Sequence, residues 1–317
     1  MKQFLRLVLL INLVVGTRTS QAQDSVELAK QLKAFISEID DSLKLDRKQF
    51  LYFKRSYLEA GLGYLSNNVY LGRKDSITLP YSVPSLSYIN KTGLYLSASA
   101  AYLHQAGASR FDLVVLDAGY MFSAGSYDGT LSLSHFFYNS QSTNVSSEIK
   151  NSISYQSGFD LGFIKPTLVA TLNFSNKADF LATFGIEHTF YALEGKMDIA
   201  PRFQINASTQ NYYNDYYQKK RYHVSKKERK EMSGIAEISG TVLDASSFKV
   251  LDYEASLPVY YRTGRFTFYT VPSYAVPVHP ATIVIREEFS SGAVRRSVGT
   301  EEIENSFFLT VGIFFRF

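Results

Sequence analysis

Cysteine and tryptophan are absent from the 317-residue chain, and proline occurs only eight times. Without cysteine there are no disulfides, no thiolate metal sites and no lipidated N-terminal cysteine. Helix-length apolar runs are missing as well. Beyond the first two dozen residues no stretch of ~18 apolar residues occurs, which excludes a membrane-spanning helix. The excess of one charge sign is small: the net charge of +4 does not argue for a nucleic-acid partner. No metal-ligand cluster, phosphate-cradling glycine loop or nucleotide fingerprint stands out, so neither a metal nor a cofactor is expected.

What the chain has instead is aromatics, 23 Tyr and 24 Phe, a composition that favours strands over helices. The opening stretch, MKQFLRLVLLINLVVGTRTSQAQ, places Lys2 and Arg6 before an apolar run from Leu7 to Val15, followed by the small residues Ser20 and Ala22. That order reads as a secretory signal peptide over residues 1–22, with an exported chain starting near Gln23. Residues 23–46 then carry Leu28, Leu32, Phe35, Ile36, Ile39 and Leu43 at helical spacing behind an Asp24 to Glu27 capping-box pair. The spacing predicts a short amphipathic periplasmic α-helix. It is either a prop packed on the main domain or a contact for a periplasmic partner.

From about Ser56 the apolar period changes from 3.6 to 2 and stays there, so residues 47–317 are read as one all-β domain. In GLYLSASAAYL, Leu94, Leu96, Ala98, Ala100 and Tyr102 share one face, and Ser97 and Ser99 lie on the other. The longest alternation, SSEIKNSISYQSGFDLGF, predicts a strand of eighteen residues with Ile149, Ile153, Tyr155, Phe159, Leu161 and Phe163 on its apolar side. Twelve segments of this kind are centred near residues 61, 85, 98, 116, 133, 155, 171, 186, 203, 254, 271 and 311. Connectors after the even segments read as tight turns, namely NKTG, SAGSYDG, IKPT, LEGK and RTGR. The longest connectors, residues 211–246 and 280–303, follow odd segments. Short turns at one end and long loops at the other predict an up-and-down antiparallel transmembrane β-barrel of about twelve strands in the cell outer membrane. A secreted β-sandwich also alternates, but its strands usually run to about five or six residues.

The last segment, ENSFFLTVGIFFRF, puts Phe307, Leu309, Val311, Ile313, Phe315 and Phe317 on one face, with Phe308 and Phe314 departing from that pattern. A terminal aromatic behind alternating apolar positions and a glycine resembles the closing strand of bacterial outer-membrane β-barrel proteins. The resemblance implies that Phe315 and Phe317 form a signal read by the barrel-assembly machinery. The stretch FKVLDYEASLPVYYRTGRFTFYTVPSYAVPVHPATI also resembles barrel proteins of the Bacteroidota outer membrane, a likeness that brings no reaction or substrate with it.

With the apolar face turned to lipid, the opposite face lines a lumen. Its charged positions are Glu59, Asp117, Asp160, Glu187, Asp252 and Glu254 against Lys150, Arg202, Arg265 and Arg316. Mixed charges in a confined interior are expected to pair, and about twelve strands leave at most a narrow or partly plugged pore. Asp252 and Glu254 form either a cation-attracting or acid/base pair, or half of a salt-bridge network with Arg202 and Arg265. Passage or binding of small solutes is the function these positions suggest. The alternatives are a structural or adhesion barrel acting through its loops, and a lipid-modifying enzyme.

Catalysis has one candidate pattern, His223-Val224-Ser225, which is easily met by chance, so no catalytic residue is assigned. It lies in a basic loop where Tyr216 and Tyr217 precede Lys219, Lys220, Arg221, Lys226 and Lys227. These are read as surface-loop residues just beyond the outer leaflet. A solvated loop is the plainest reading; beyond it, contact with outer-membrane lipid and lipopolysaccharide phosphates is expected, and no nucleic-acid partner is expected.

Overall fold

The computed structural model describes residues 55–75, 78–105, 107–217, 235–289 and 291–317. The expected signal peptide and amphipathic helix lie outside them. Twelve strands make the main sheet. The first six are β1 (Tyr57–Leu65), β2 (Tyr81–Ile89), β3 (Leu94–Leu103), β4 (Arg110–Ala124), β5 (Tyr127–Tyr138) and β6 (Asn151–Phe159). The second six are β7 (Lys165–Phe174), β8 (Ala178–Glu187), β9 (Arg202–Ser208), β10 (Lys249–Ser256), β11 (Phe266–Pro277) and β12 (Ser306–Arg316). Each pairs antiparallel with its sequence neighbours, and β12 pairs with both β11 and β1. The sheet is therefore a closed barrel, and closure removes every edge that lipid could not satisfy.

Three strands are prolonged past a break at the short-turn end. Phe190–Ala192 continues β8, Met197–Ile199 leads into β9, and Val259–Thr263 follows β10. Pro201 and Pro258 sit at two of these breaks, where a residue without an N–H interrupts the ladder. The predicted eighteen-residue strand is corrected to the nine residues of β6. Upstream, the Asn144 side-chain oxygen accepts from the backbone N–H and hydroxyl of Ser146 and turns the chain away. Downstream, Asp160 accepts from the Gly162 N–H and closes a turn. Ile149 accordingly leaves the lipid face and is buried with the outer loops.

The alternation decides which way each face looks. Ile153 and Phe184 are 40% and 53% exposed, and Leu62, Leu96, Leu116, Leu133 and Phe203 around the ring are exposed too, all on the outside. This apolar belt places the barrel in the outer membrane. Phe315 joins the belt against exposed Phe266 and Phe317. Phe314, one of the two departures in the closing strand, turns inward instead and stacks on Tyr269 at 4.9 Å, over the space left by Gly61.

Beyond the barrel, the loops following odd strands build a second structure. Strands Ile235–Val242, Thr282–Phe289 and Val294–Thr300 form a separate three-stranded sheet. Val69–Tyr70 and Arg73–Lys74 form a small hairpin, and helix α1 spans Asn211–Tyr216.

Inward glycines make room for this closure. A Cβ at Gly312 would stand 2.6 Å from both the Leu62 carbonyl oxygen and the Tyr269 hydroxyl, on the strand that seals the barrel. Gly312→Val is expected to destabilise the barrel by about 1–3 kcal/mol through overpacking, visible as a smaller folded fraction by heat-modifiable electrophoretic mobility. Gly299→Ala, where nothing lies within 4 Å, is the control and should fold as the wild type does.

Candidate functional site

The lumen wall begins with one register row that can be followed across nine strands. Arg316, Glu59, Ser87, Ser97, Asp117, Ser134, Ser152, Asn173 and Asp179 stand side by side on successive strands. All are polar. The row starts at the last residue of β12, at the short-turn end, and finishes at the second residue of β8, at the loop end, which expresses the tilt of the strands. Within it Arg316 donates to Glu59 at 3.0 Å and lies over the Tyr57 ring at 4.2 Å. Ser87 and Ser97 share a 2.8 Å hydrogen bond, and Ser134 donates to Asp117.

A second group of charges lies towards the short-turn end. Arg202 binds Glu187 at 2.7 Å, Lys165 lies 3.8 Å from Glu187 and 2.8 Å from Asp128, and Arg262 binds Asp198 at 2.5 Å. Side chains in these pairs retain contact with water: Lys165 and Asp128 are 28% and 27% exposed and Arg202 is 35% exposed.

Several expected assignments change. Asp160 closes a turn and does not line the lumen. Arg265 is exposed in the turn between Val259–Thr263 and β11, and Lys150 is exposed at the loop-side rim just before β6. Glu59, Asp117, Glu187, Arg202, Asp252, Glu254 and Arg316 all lie on inward strand positions. The expected network is rearranged. Among the described residues Asp252 and Glu254 pair with neither Arg202 nor Arg265, because strand register sets Glu187 opposite Arg202 and leaves Gln204 opposite Glu254.

At the loop end the described loops pack together against inward residues of the wall and form a stopper. The loop after β1 crosses the mouth, and Tyr70 accepts a 2.9 Å hydrogen bond from Asn173 on β7, six places round a ring of twelve from β1. Gly72 lies directly on the inward Asp252. A Cβ there would be 2.8 Å from the Asp252 Cβ, and its φ of +72° is one that glycine adopts without strain. The stopper has its own core, in which Leu71, Val145, Ile149, Tyr212, Tyr213, Val242 and Ile283 from four loops meet Leu251, Leu181 and Phe136 of the barrel wall. Helix α1 is held over it by Asp179, whose two carboxylate oxygens accept from the N–H groups of Asn211 and Tyr212 at 2.7 Å each. Carboxylates suit the first turn of a helix, where amides lack intrahelical partners.

Tyr216 and Tyr217 are both buried in this core, a correction to their expected place on the surface. From the same short segment Tyr212 meets Tyr70 and Tyr213 meets Glu301, partners in other loops that local sequence does not show. Lys219, Lys220, Arg221, Lys226, Lys227 and the His223-Val224-Ser225 pattern lie outside the described residues.

The stopper is pinned by a latch that sequence reasoning missed. Arg73 binds Glu301 at 3.2 Å, and the two side chains are 1% and 6% exposed. The same guanidinium donates to Gln210 at 3.2 Å and to the His279 carbonyl at 3.4 Å. Glu301 also accepts from the Tyr213 hydroxyl and from the Ala281 N–H. Burial, reinforced by the Glu301 charge, raises the Tyr213 phenol far above its ordinary value, so it remains a donor. Burial alone would lower the Arg73 guanidinium, yet Tyr212 and Glu301 beside it hold it above its ordinary value. The partners are 228 residues apart, and no motif marks either of them.

No family model matches the chain, and no curated protein matches it. Among solved structures it is similar to a KdgM porin (10% identity, 82% of this chain and 99% of that one, TM-score 0.42). It is also similar to a NanC porin (10% identity, 81% and 98%, TM-score 0.44) and to a bacterial polysaccharide outer membrane secretin (10% identity, 84% and 99%, TM-score 0.37). Those values are too low to carry a function across.

Removing one member of a buried pair strands the other, at a cost of about 3–5 kcal/mol. Arg73→Ala should therefore loosen the stopper and leave the barrel intact. Hydrogen exchange by mass spectrometry is expected to show lost protection in residues 66–75 and 278–289, with β3 to β6 unchanged. Lost protection throughout the barrel, or none anywhere, would remove the latch assignment.

Proposed function

We propose that this outer-membrane barrel is a gated conduit for small polar solutes, with a lumen wetted from the periplasmic side and a stopper that must yield before anything passes. The observation that carries the reading is the contrast in burial between the wall charges near the short turns and the charged groups at the loop end. The pairs near the short turns keep water contact, whereas Asp179, Asp252, Arg73 and Glu301 at the loop end are almost completely buried. In outer-membrane barrels the short turns lie on the periplasmic side. The walls of β2 to β7 supply small hydroxyl and amide groups, suited to a hydrated path for polar molecules. Kinship with Bacteroidota barrels, read from residues 248–283, belongs to the same proposal, as do lipopolysaccharide and the assembly machinery as partners.

A second reading is a non-conducting barrel that presents its loops to a partner. The projecting sheet supports it, since every residue of Val294–Thr300 is exposed. Removing residues 213–230 would not separate the two readings, because buried Tyr213, Tyr216 and Tyr217 would be lost with the loop.

Planar-bilayer recording separates them. Wild type is expected to open rarely, and Arg73→Ala to raise open probability by about tenfold or more, since ~1.4 kcal/mol already shifts an equilibrium tenfold. The double variant Arg73→Met/Glu301→Leu replaces the pair with apolar groups and should stay closed. Silence from wild type and Arg73→Ala alike, with both folded, favours the second reading.

A further inference from the structure

Among the stopper loops lies a cavity of about 510 Å³. It is within the size range of small-molecule sites, roughly 300–1,000 Å³. One wall is tyrosine. Tyr213 and Tyr216 stack parallel at 5.9 Å, and Tyr217 stands edge-on to both, at 4.8 and 5.9 Å. The opposing wall and rim come from residues 72–75 and 300–304, which bring Asp75, Glu301, Glu302 and Glu304 against Arg73 and Lys74. Two of these carboxylates are paired, Glu301 with Arg73 and Glu304 with Lys74, and Glu302 is exposed beside them.

The protein already shows what this combination binds. The Arg73 guanidinium lies 5.0 Å over the Tyr213 ring while it pairs with Glu301, so a cation sits between an aromatic face and a carboxylate at the inner end of the cavity. Such an arrangement is favourable because the ring quadrupole and the anion both attract positive charge. Towards the opening, Lys74 and Glu304 form only a 3.4 Å pair, with Glu304 77% exposed, an arrangement worth little by itself and readily exchanged. Among the described residues no cluster of three or more acidic or histidine groups is gathered to hold a metal ion. We propose that this outward cavity is a binding site for a small organic cation, an alkylamine or quaternary ammonium, held between the tyrosine wall and the carboxylates of the 301–304 segment. The assignment does not require the barrel to conduct.

Isothermal titration of the folded, full-length protein in detergent tests it, with putrescine and tetramethylammonium as probes and glucose and acetate as neutral and anionic comparators. Binding of at least one cation is expected, weakened by added salt, with no heat from acetate. Glu302→Gln/Glu304→Gln alters only the exposed rim and leaves Arg73–Glu301 in place. It should weaken the cation about tenfold or more, with hydrogen-exchange protection of the stopper unchanged. Absence of binding by both cations, equal or tighter binding of glucose, or cation affinity unchanged in the double variant would each overturn the assignment. A silent bilayer alongside cation binding would count against the conduit alone and leave this site standing.

Discussion

Closure of β12 onto both β1 and β11 is the condition on which everything else in this molecule rests. In hydrocarbon an unpaired backbone amide or carbonyl has no water to turn to, and each one left open costs several kcal/mol. A sheet can cross a membrane only if its last strand returns to its first. That requirement explains the even strand number, the side-by-side order of sequence neighbours, and the room that Gly61, Gly63 and Gly312 leave beside the seam for Phe314 and Tyr269. It also fixes the two faces, because once the ring is shut every strand has a lipid side and a lumen side, two residues apart in period.

The closed ring creates a second problem at its open ends. A lumen lined by serine, asparagine and charge is stable while water reaches it, as it does around Lys165, Asp128 and Arg202. Towards the loops the same wall is roofed over, and several of the buried polar groups there are given protein partners. Asp179 receives the amides of α1, Asn173 donates to Tyr70, and Arg73 is surrounded by Glu301, Gln210 and two carbonyls. At the same rim Asp112 accepts from Tyr81, Ser142 and Arg110, tying the loop after β5 down to β2 and β4. The stopper is thus a polar lattice filled in with tyrosine. Its hold on the mouth runs through Arg73, Glu301 and Asp179 as well as through the shared core.

The alternation of apolar and polar residues, the tight turns after even strands and the aromatic closing segment determine the barrel by themselves, because each is a local pattern with a period of two. Ile153, Phe184 and Phe315 face lipid as that period requires, and Glu59, Glu187, Arg202 and Arg316 face inward. The pattern misleads where it runs past a strand. Ile149, Asp160 and Arg265 keep its parity but sit in loops and turns, where side-chain capping by Asn144 and Asp160 overrides it. Which inward charges pair was decided by register between strands, which alternation leaves open, so Arg202 met Glu187 and not Asp252. Only the tertiary structure decided the stopper and the cavity among its loops: Arg73 and Glu301, or Tyr70 and Asn173, meet because four loops fold into a single mouth. Contacts between residues 103 or 228 positions apart leave no periodic trace in either segment, since what selects them is shape and charge across space.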